Sequence, residues 1–360
     1  MKLAEIIIQR IRTEGPISFH DFMEMCLYYP GKGYYTSAGN KIGKGGDYYT
    51  SSNISSLFGA MIGKQLEEMW VIMGKNEFCV VEYGAGTGML CDDIIGYVKE
   101  NNEFLAKLRY CIIEKSPDMR ERERGRLDGE VCWYDSINDI GTFTGCILSN
   151  EVLDNFSVHQ VVMKEQLMEV FVDYRNGFVE VLRPAEKRLA DYFEQLHVRL
   201  PGDFRTEINL EAIRWMRDIA TTLQKGYVIT IDYGYPSSQL YSQCRSNGTL
   251  LCYKEHAVND QPYENIGEQD ITSHINFSAL SYWGGKWGLN TSGLTSQAGF
   301  LRSLGLEKFL SETYLYQNDY LRFKEYAFLK YALLFDMGQK FKVLIQSKNV
   351  PSTKLSGLLA

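Results

Sequence analysis

Hydrophobic and polar positions change period along the chain, and the changes mark its elements. Leu3, Ile6, Ile7 and Ile11 recur at helical spacing among Glu5, Arg10 and Arg12, which predicts an amphipathic helix over residues 1–14 instead of a secretory apolar core. Between Tyr28 and Tyr49, glycines at 31, 33, 39, 43, 45 and 46 are too dense for a helix, each costing about 1 kcal/mol relative to alanine; a long structured loop is expected. A helix over about 55–73 follows, with Leu57, Phe58, Met61, Ile62, Leu66 and Met69 on one stripe. The middle of the chain then alternates. Apolar runs at 78–83, 109–114, 131–134, 146–149 and 227–231 read as strands, separated by helical patterns at 89–100, 117–126 and 210–224. Parallel neighbours need a crossover, so strands divided by helices predict βαβ units and a parallel sheet. Period-2 segments at 158–163, 167–173 and 177–182 predict an antiparallel meander added to that sheet domain. Beyond Gly234 the pattern weakens as far as Asn290, after which helices at 295–304 and 317–335 and a strand at 341–346 are expected.

Composition narrows the class. With 360 residues, 45% hydrophobic and 23% charged, and 8 prolines, the chain is a folded protein with a sizeable core, in one large domain with insertions or in two domains. Lys plus Arg at 38 against Asp plus Glu at 45 gives 38 − 45 = −7, which repels a phosphate backbone, so no nucleic-acid partner is expected. No run of about 18 apolar residues exists, so no membrane-spanning helix is expected. The 8 cysteines form no CxxC pair, and Cys79, Cys111, Cys132 and Cys146 lie inside strand runs; they read as reduced core residues, and a cytoplasmic location follows. The 5 histidines form no HxxxH pattern, so no metal site is expected.

The chemistry is concentrated at Glu82-Tyr83-Gly84-Ala85-Gly86-Thr87-Gly88, where the strand 78–83 turns into a helix at Met89. Such a turn lets backbone approach a ligand closely, and unpaired N–H groups at a helix start favour electron-rich atoms. The dinucleotide fingerprint is G-x-G-x-x-G, whereas these glycines fall at i, i+2 and i+4 with an acid two positions before the first; a nicotinamide or other nucleotide is the alternative ligand. E-x-G-x-G-x-G resembles the first motif of class I methyltransferases, which bind S-adenosyl-L-methionine. That resemblance implies a second acid at the end of the second strand, where Glu114 stands with Lys115, and a polar residue after the third, where Asp135 and Ser136 stand.

The likeness extends over almost the whole chain. Gly15-Pro16-Ile17-Ser18-Phe19, Tyr28-Tyr29-Pro30, Gly33-Tyr34-Tyr35, Gly45-Gly46-Asp47-Tyr48, Asn150-Glu151 with Asp154, Ile231-Asp232-Tyr233-Gly234, Asp270-Ile271-Thr272 with His274, and Gln297-Ala298-Gly299-Phe300 resemble, in order, the MidA-like methyltransferase family. The resemblance implies a Rossmann-like class I methyltransferase fold. It has a mostly parallel seven-stranded sheet with an N-terminal segment over 1–73, a methyltransferase domain over 74–360, and substrate-side insertions at about 155–208 and 235–290. It implies S-adenosyl-L-methionine as cofactor, bound through Glu82, Gly84, Ala85, Gly86, Gly88, Glu114, Lys115, Asp135, Ser136 and Asn150, with Asp47 and Thr50 in reach. It also implies a protein partner presenting an arginine, a respiratory-complex subunit being one such partner because the family includes a mitochondrial protein-arginine methyltransferase that assists complex I assembly. Symmetric dimethylarginine is the implied product. An arginine stays charged up to a pKa above about 12, so carboxylates must hold its fork as a proton leaves. Asn150, Glu151, Asp154, Asp232, Asp270 and His274 are the candidate catalytic residues. Two other readings are open: methyl transfer to a small molecule, and an assembly factor that binds the cofactor without turnover.

Overall fold

Strand β1, Phe78–Tyr83, is buried along its length up to Tyr83, which is why its sequence is continuously apolar but for one acid, Glu82. Around it the computed structural model places β2 (Leu108–Ile113), β3 (Val131–Tyr134), β4 (Phe143–Asn150), β5 (Leu223–Tyr235), β6 (Asn290–Ser296) and β7 (Phe341–Lys348). The structure describes residues 1–37, 41, 51–127, 129, 131–314 and 320–359. The spatial order is β3-β2-β1-β4-β5-β7-β6. Strands β1 to β5 run parallel, and β7 is antiparallel to both β5 and β6. Gly234 and Tyr235 at the end of β5 also pair in parallel with Ile275 and Asn276, so the sheet is mixed and carries an eighth strand beyond the seven expected. A two-residue strand has no readable period, which hid it.

The chain travels outward from β1 to β2 and β3, then returns to lay β4 on the other side of β1. That reversal creates a switch point between the carboxyl ends of β1 and β4, where the connecting loops part and open α/β sheets bind ligands. Helix α1, Ser56–Ile72, starts at Ser55, whose hydroxyl accepts from the Leu57 N–H. It crosses α2, Met89–Val98, at glycines: a Cβ on Gly59 would stand 2.3 Å from the Asp93 Cβ, and one on Gly63 would stand 2.8 Å from Tyr97. Helix α3, Pro117–Arg126, has Ser116 as N-cap and proline at its first turn.

The described chain separates into two compact units. One comprises Met1–Tyr48, Leu153–Trp215 and Gly234–Tyr282; the other comprises Tyr49–Val152, Met216–Tyr233 and Trp283–Ala360 and holds the body of the sheet. The second is built on a core that includes Val80, Ile112, Leu148, Ile229 and Val343. In the first, the three meander strands appear as His159–Met163, Leu167–Tyr174 and Phe178–Pro184. They do not extend the parallel sheet; they form their own five-stranded antiparallel sheet with Ile17–Ser18 and Arg205–Ile208. Val162, Val170 and Val172 share a core with Ile7, Phe19 and Phe22 of the N-terminal helices, so their apolar face is already covered. Phe19–Tyr28 is a helix that the pattern left unassigned, opened by Ser18, whose hydroxyl accepts from the Asp21 N–H at 3.1 Å.

Candidate active site

The turn after β1 is built on left-handed backbone. Gly84, Gly86 and Gly88 have φ of 59°, 60° and 74°, which side-chain-bearing residues rarely adopt, and Gly88 caps α2. The Gly84 N–H donates to the Ile113 carbonyl at 3.0 Å and the Gly88 N–H to the Ala85 carbonyl at 2.9 Å, which pins the turn to the end of β2. A Cβ on Gly84 would meet the Val152 side chain at 3.2 Å, so the turn and the loop after β4 are in contact at the switch point.

Acids stand at both neighbouring strand ends. Glu82 is 2% exposed and accepts from the Tyr110 hydroxyl at 2.7 Å; burial pushes its pKa from 4.5 to about 7. Glu114 follows β2, and one of its oxygens accepts from the Ser116 N–H at 2.7 Å; burial raises its pKa against the pull of the Ser116 and Lys115 amides. Lys115 itself points to solvent. Beyond β3, Asp135 is exposed and ion-paired with Arg120, and Ser136 caps the turn Ile137–Ile140 by accepting from the Asn138 N–H. Both therefore already have structural work. Sequence reasoning passed over Tyr110, an aromatic with a polar tip in an apolar strand that needs a partner, and Glu123 of α3. Glu123 is fully buried and accepts from the Trp133 N–H at 2.7 Å; burial and the charge of Glu114 push its pKa to about 8.

Asn150 closes β4 beside Ile231 of β5 and donates to a Glu151 carboxylate oxygen at 3.1 Å; its own carbonyl oxygen is buried without a hydrogen-bond partner among the described residues. Glu151 has φ of 55°, a left-handed conformation that costs a non-glycine residue about 1 kcal/mol or more. Its N–H is tied to the Ile231 carbonyl at 2.9 Å. Asp232 is fully buried, with one oxygen accepting from the Val152 N–H at 3.3 Å and the other from the Tyr233 N–H at 2.8 Å. It fastens the loop after β4 to β5 and so positions Glu151.

The other three candidate catalytic residues belong to the other unit. Asp154 is buried, and its backbone carbonyl accepts from the Ser273 N–H at 2.8 Å. Asp270 accepts from the Tyr35 hydroxyl at 2.8 Å and the Ile271 N–H at 2.9 Å. His274 lies 5.5 Å from the Tyr235 ring; burial and the nearby Arg245 push its pKa down to about 4, so it is neutral at neutral pH. Asp47 and Thr50 lie outside the described residues.

A glycine turn at a helix start, flanked by acids, could hold an adenosine through its ribose hydroxyls and a small cationic centre near Asn150 and Glu151. The family model described as "Putative S-adenosyl-L-methionine-dependent methyltransferase" matches residues 61–295, which contain this turn and both acids. The chain belongs to that methyltransferase family. A solved superfamily member from Burkholderia thailandensis, described as a "likely methyl transferase" and bound to S-adenosyl-homocysteine, is 30% identical over 99% of this chain and 94% of its own, with a TM-score of 0.90. This methyltransferase accordingly has the α/β methyltransferase fold. "Protein arginine methyltransferase NDUFAF7 homolog, mitochondrial" from Caenorhabditis elegans is 26% identical over 94% of this chain and 85% of its own. The Homo sapiens protein of the corresponding name is 26% identical over 84% of this chain and 73% of its own. These names overturn the cytoplasmic expectation, because the relatives are mitochondrial proteins. The reduced cysteines that suggested it speak against an oxidising compartment and do not choose among reducing ones. No described helix is long and apolar enough to cross a membrane.

Proposed function

We propose that this methyltransferase transfers a methyl group to the guanidinium of an arginine in a protein partner, with symmetric dimethylarginine as the end product. Glu151 carries this reading: a carboxylate kept in a strained conformation at the end of β4, in contact through Val152 with the glycine turn. The names of the curated relatives support the acceptor class.

The residues fit S-adenosyl-L-methionine. The turn Gly84–Gly88 brings backbone to the ligand without side chains in the way, Glu114 offers a carboxylate oxygen to ribose hydroxyls, and the unpartnered Asn150 carbonyl oxygen accepts from a donor on the bound molecule. When bound, the cofactor supplies an electrophilic methyl on a sulfonium sulfur. The chain has to align an arginine nitrogen with that methyl and exclude water. Glu151 accepts hydrogen bonds from the guanidinium fork, which concentrates charge away from the attacking nitrogen, and its carboxylate is placed to take the departing proton. Asn150 orients that carboxylate from the side, and Asp232 holds the loop beneath it by accepting from the Val152 N–H.

The test is a screen of candidate partners, respiratory-complex subunits first, with methyl-labelled cofactor and mass analysis of the modified peptides. Methylarginine formed by wild type and reduced at least about 100-fold in Glu151→Gln, with S-adenosyl-homocysteine still bound, is the expected result. Methylation of a different side chain or of a small molecule refutes the acceptor assignment, and cofactor binding without any turnover refutes the enzymatic one.

A further inference from the structure

Three cysteines lie side by side on one face of the parallel sheet. Cys79 of β1 and Cys111 of β2 are buried, with their sulfurs 3.8 Å apart, and Cys132 of β3 is half-buried. Side chains alternate along a strand, so all three face away from the core that holds Val80, Ile112 and Val131. Cys132 stands directly opposite Cys111 in the pairing of β2 with β3. Buried structural cysteines are ordinarily inert, whereas reactive ones are partly exposed and lie beside a positive charge. This cluster has both features. Its outer member belongs to β3, the last strand in the described order, and Arg109, two residues before Cys111 on the same face, is exposed. A hydrogen bond from Cys79 holds the Cys111 thiol below its usual range against the effect of burial, and the Arg109 guanidinium adds to it. No group of three or more His, Cys, Asp or Glu side chains among the described residues is arranged to hold a metal ion, so oxidation is the chemistry these sulfurs offer.

We propose that Cys132 and Cys111 are a reversible redox-modification site, which takes a peroxide as its oxidant and closes to a disulfide between β2 and β3. The thiolate of Cys132, the sulfur nearer solvent, attacks the O–O bond of hydrogen peroxide; an S–O bond forms, hydroxide leaves, and Cys132 becomes a sulfenic acid. The thiolate of Cys111 then attacks that sulfur; the S–S bond forms, the S–O bond breaks, and a second hydroxide leaves. The two hydroxides take up the protons given by the two thiols, so the pair loses two electrons and the peroxide becomes two waters. Geometry selects this pair over Cys79 with Cys111. Directly opposed residues on neighbouring strands have Cα atoms about 4.8 Å apart, inside the span of about 4.4–6.8 Å that a disulfide bridges. Cys79 stands opposite Arg109, two residues short of Cys111, which sets the Cα atoms of Cys79 and Cys111 about 8 Å apart and out of reach however close the sulfurs.

Peptide mass mapping of the full, folded chain tests this, in a Cys244→Ser background that removes the exposed native thiol. After hydrogen peroxide and alkylation of the remaining thiols, a Cys111–Cys132 disulfide is expected, returned to two thiols by dithiothreitol. This arm alters neither cysteine of the pair, so it stands whatever the variants do. Cys111→Ser should accumulate a sulfenic acid on Cys132, trapped by dimedone at least about 10-fold above the level in the background protein, where Cys111 consumes it. Cys132→Ser, checked by its melting temperature to be folded, should leave Cys111 and Cys79 reduced, because both are buried. Cys111 and Cys132 both staying reduced under peroxide that oxidises free cysteine, a disulfide between Cys79 and Cys111, or a sulfenic acid on Cys111 in folded Cys132→Ser overturns the proposal.

Discussion

Replacing Glu82 by glutamine isolates what the acid inside β1 does to stability. The carboxyl is 2% exposed, accepts from the Tyr110 hydroxyl at 2.7 Å, and has its pKa pushed from 4.5 to about 7 by burial, with the Tyr110 bond pulling the other way. Below pH 4.5 it holds its proton in the folded and the unfolded chain alike. Between pH 4.5 and about 7 the unfolded chain ionises freely while the folded one still keeps the proton, so stability falls as pH rises. Above about pH 7 the loss is complete, and at 1.36 kcal/mol for each pH unit it amounts to about 3 kcal/mol. Glutamine keeps an acceptor for Tyr110 and cannot ionise. The stability difference between Glu82→Gln and wild type should therefore be near zero at pH 4.5 and grow to about 3 kcal/mol in favour of the variant by pH 8. Urea unfolding followed by tryptophan fluorescence across that range measures it, and taking the difference removes groups whose titration does not depend on the Glu82 charge. A difference that does not change with pH, or a variant less stable than wild type at pH 8, would refute the reasoning. An acid that weakens the fold at neutral pH, beside a ligand-binding turn, is the kind of group function retains.

Two further outcomes follow from local geometry. Glu151→Gly relieves the left-handed strain at φ of 55° and should raise stability by about 1 kcal/mol while methyl transfer is lost; a drop in unfolding midpoint would mean that the side chain, not the backbone, holds the loop. His274 should stay neutral from pH 8 down to about 5, because burial and Arg245 disfavour its cation, so a ring resonance for this residue that titrates near 6.5 in NMR spectra would contradict its described surroundings.

The sheet was legible because β1 and β4 are buried apolar runs and α2 and α3 divide β1 from β2 and β2 from β3, and the crossover requirement converts that alternation into parallel pairing. The glycine turn was legible because three left-handed residues within five positions strongly favour glycine at each. Several features were hidden for physical reasons. Ile275–Asn276 is too short to carry a period. The meander strands alternate as expected, but alternation says nothing of which apolar surface covers them, and here Phe19 and Phe22 do. Glu123 sits in the charged run Arg120–Arg126, which reads as a solvated helix face, yet its carboxylate is buried and accepts from the Trp133 N–H; only the tertiary fold turns that side inward. The strain at Glu151 has no signature in sequence, since it is imposed by the tie of its own N–H to Ile231 and of the Val152 N–H to Asp232.

Calorimetric titration with S-adenosyl-homocysteine, on wild type and on Gly86→Val, tests the cofactor assignment most directly. Wild type should bind one molecule with micromolar affinity, about −8 kcal/mol, and should give no heat with NAD. Valine at φ of 60° forces the turn out of shape, so the variant should lose that binding while its far-ultraviolet spectrum stays that of the folded protein. Equal affinity in the two proteins, or saturable binding of NAD in place of S-adenosyl-homocysteine, would contradict a methyltransferase site at this turn.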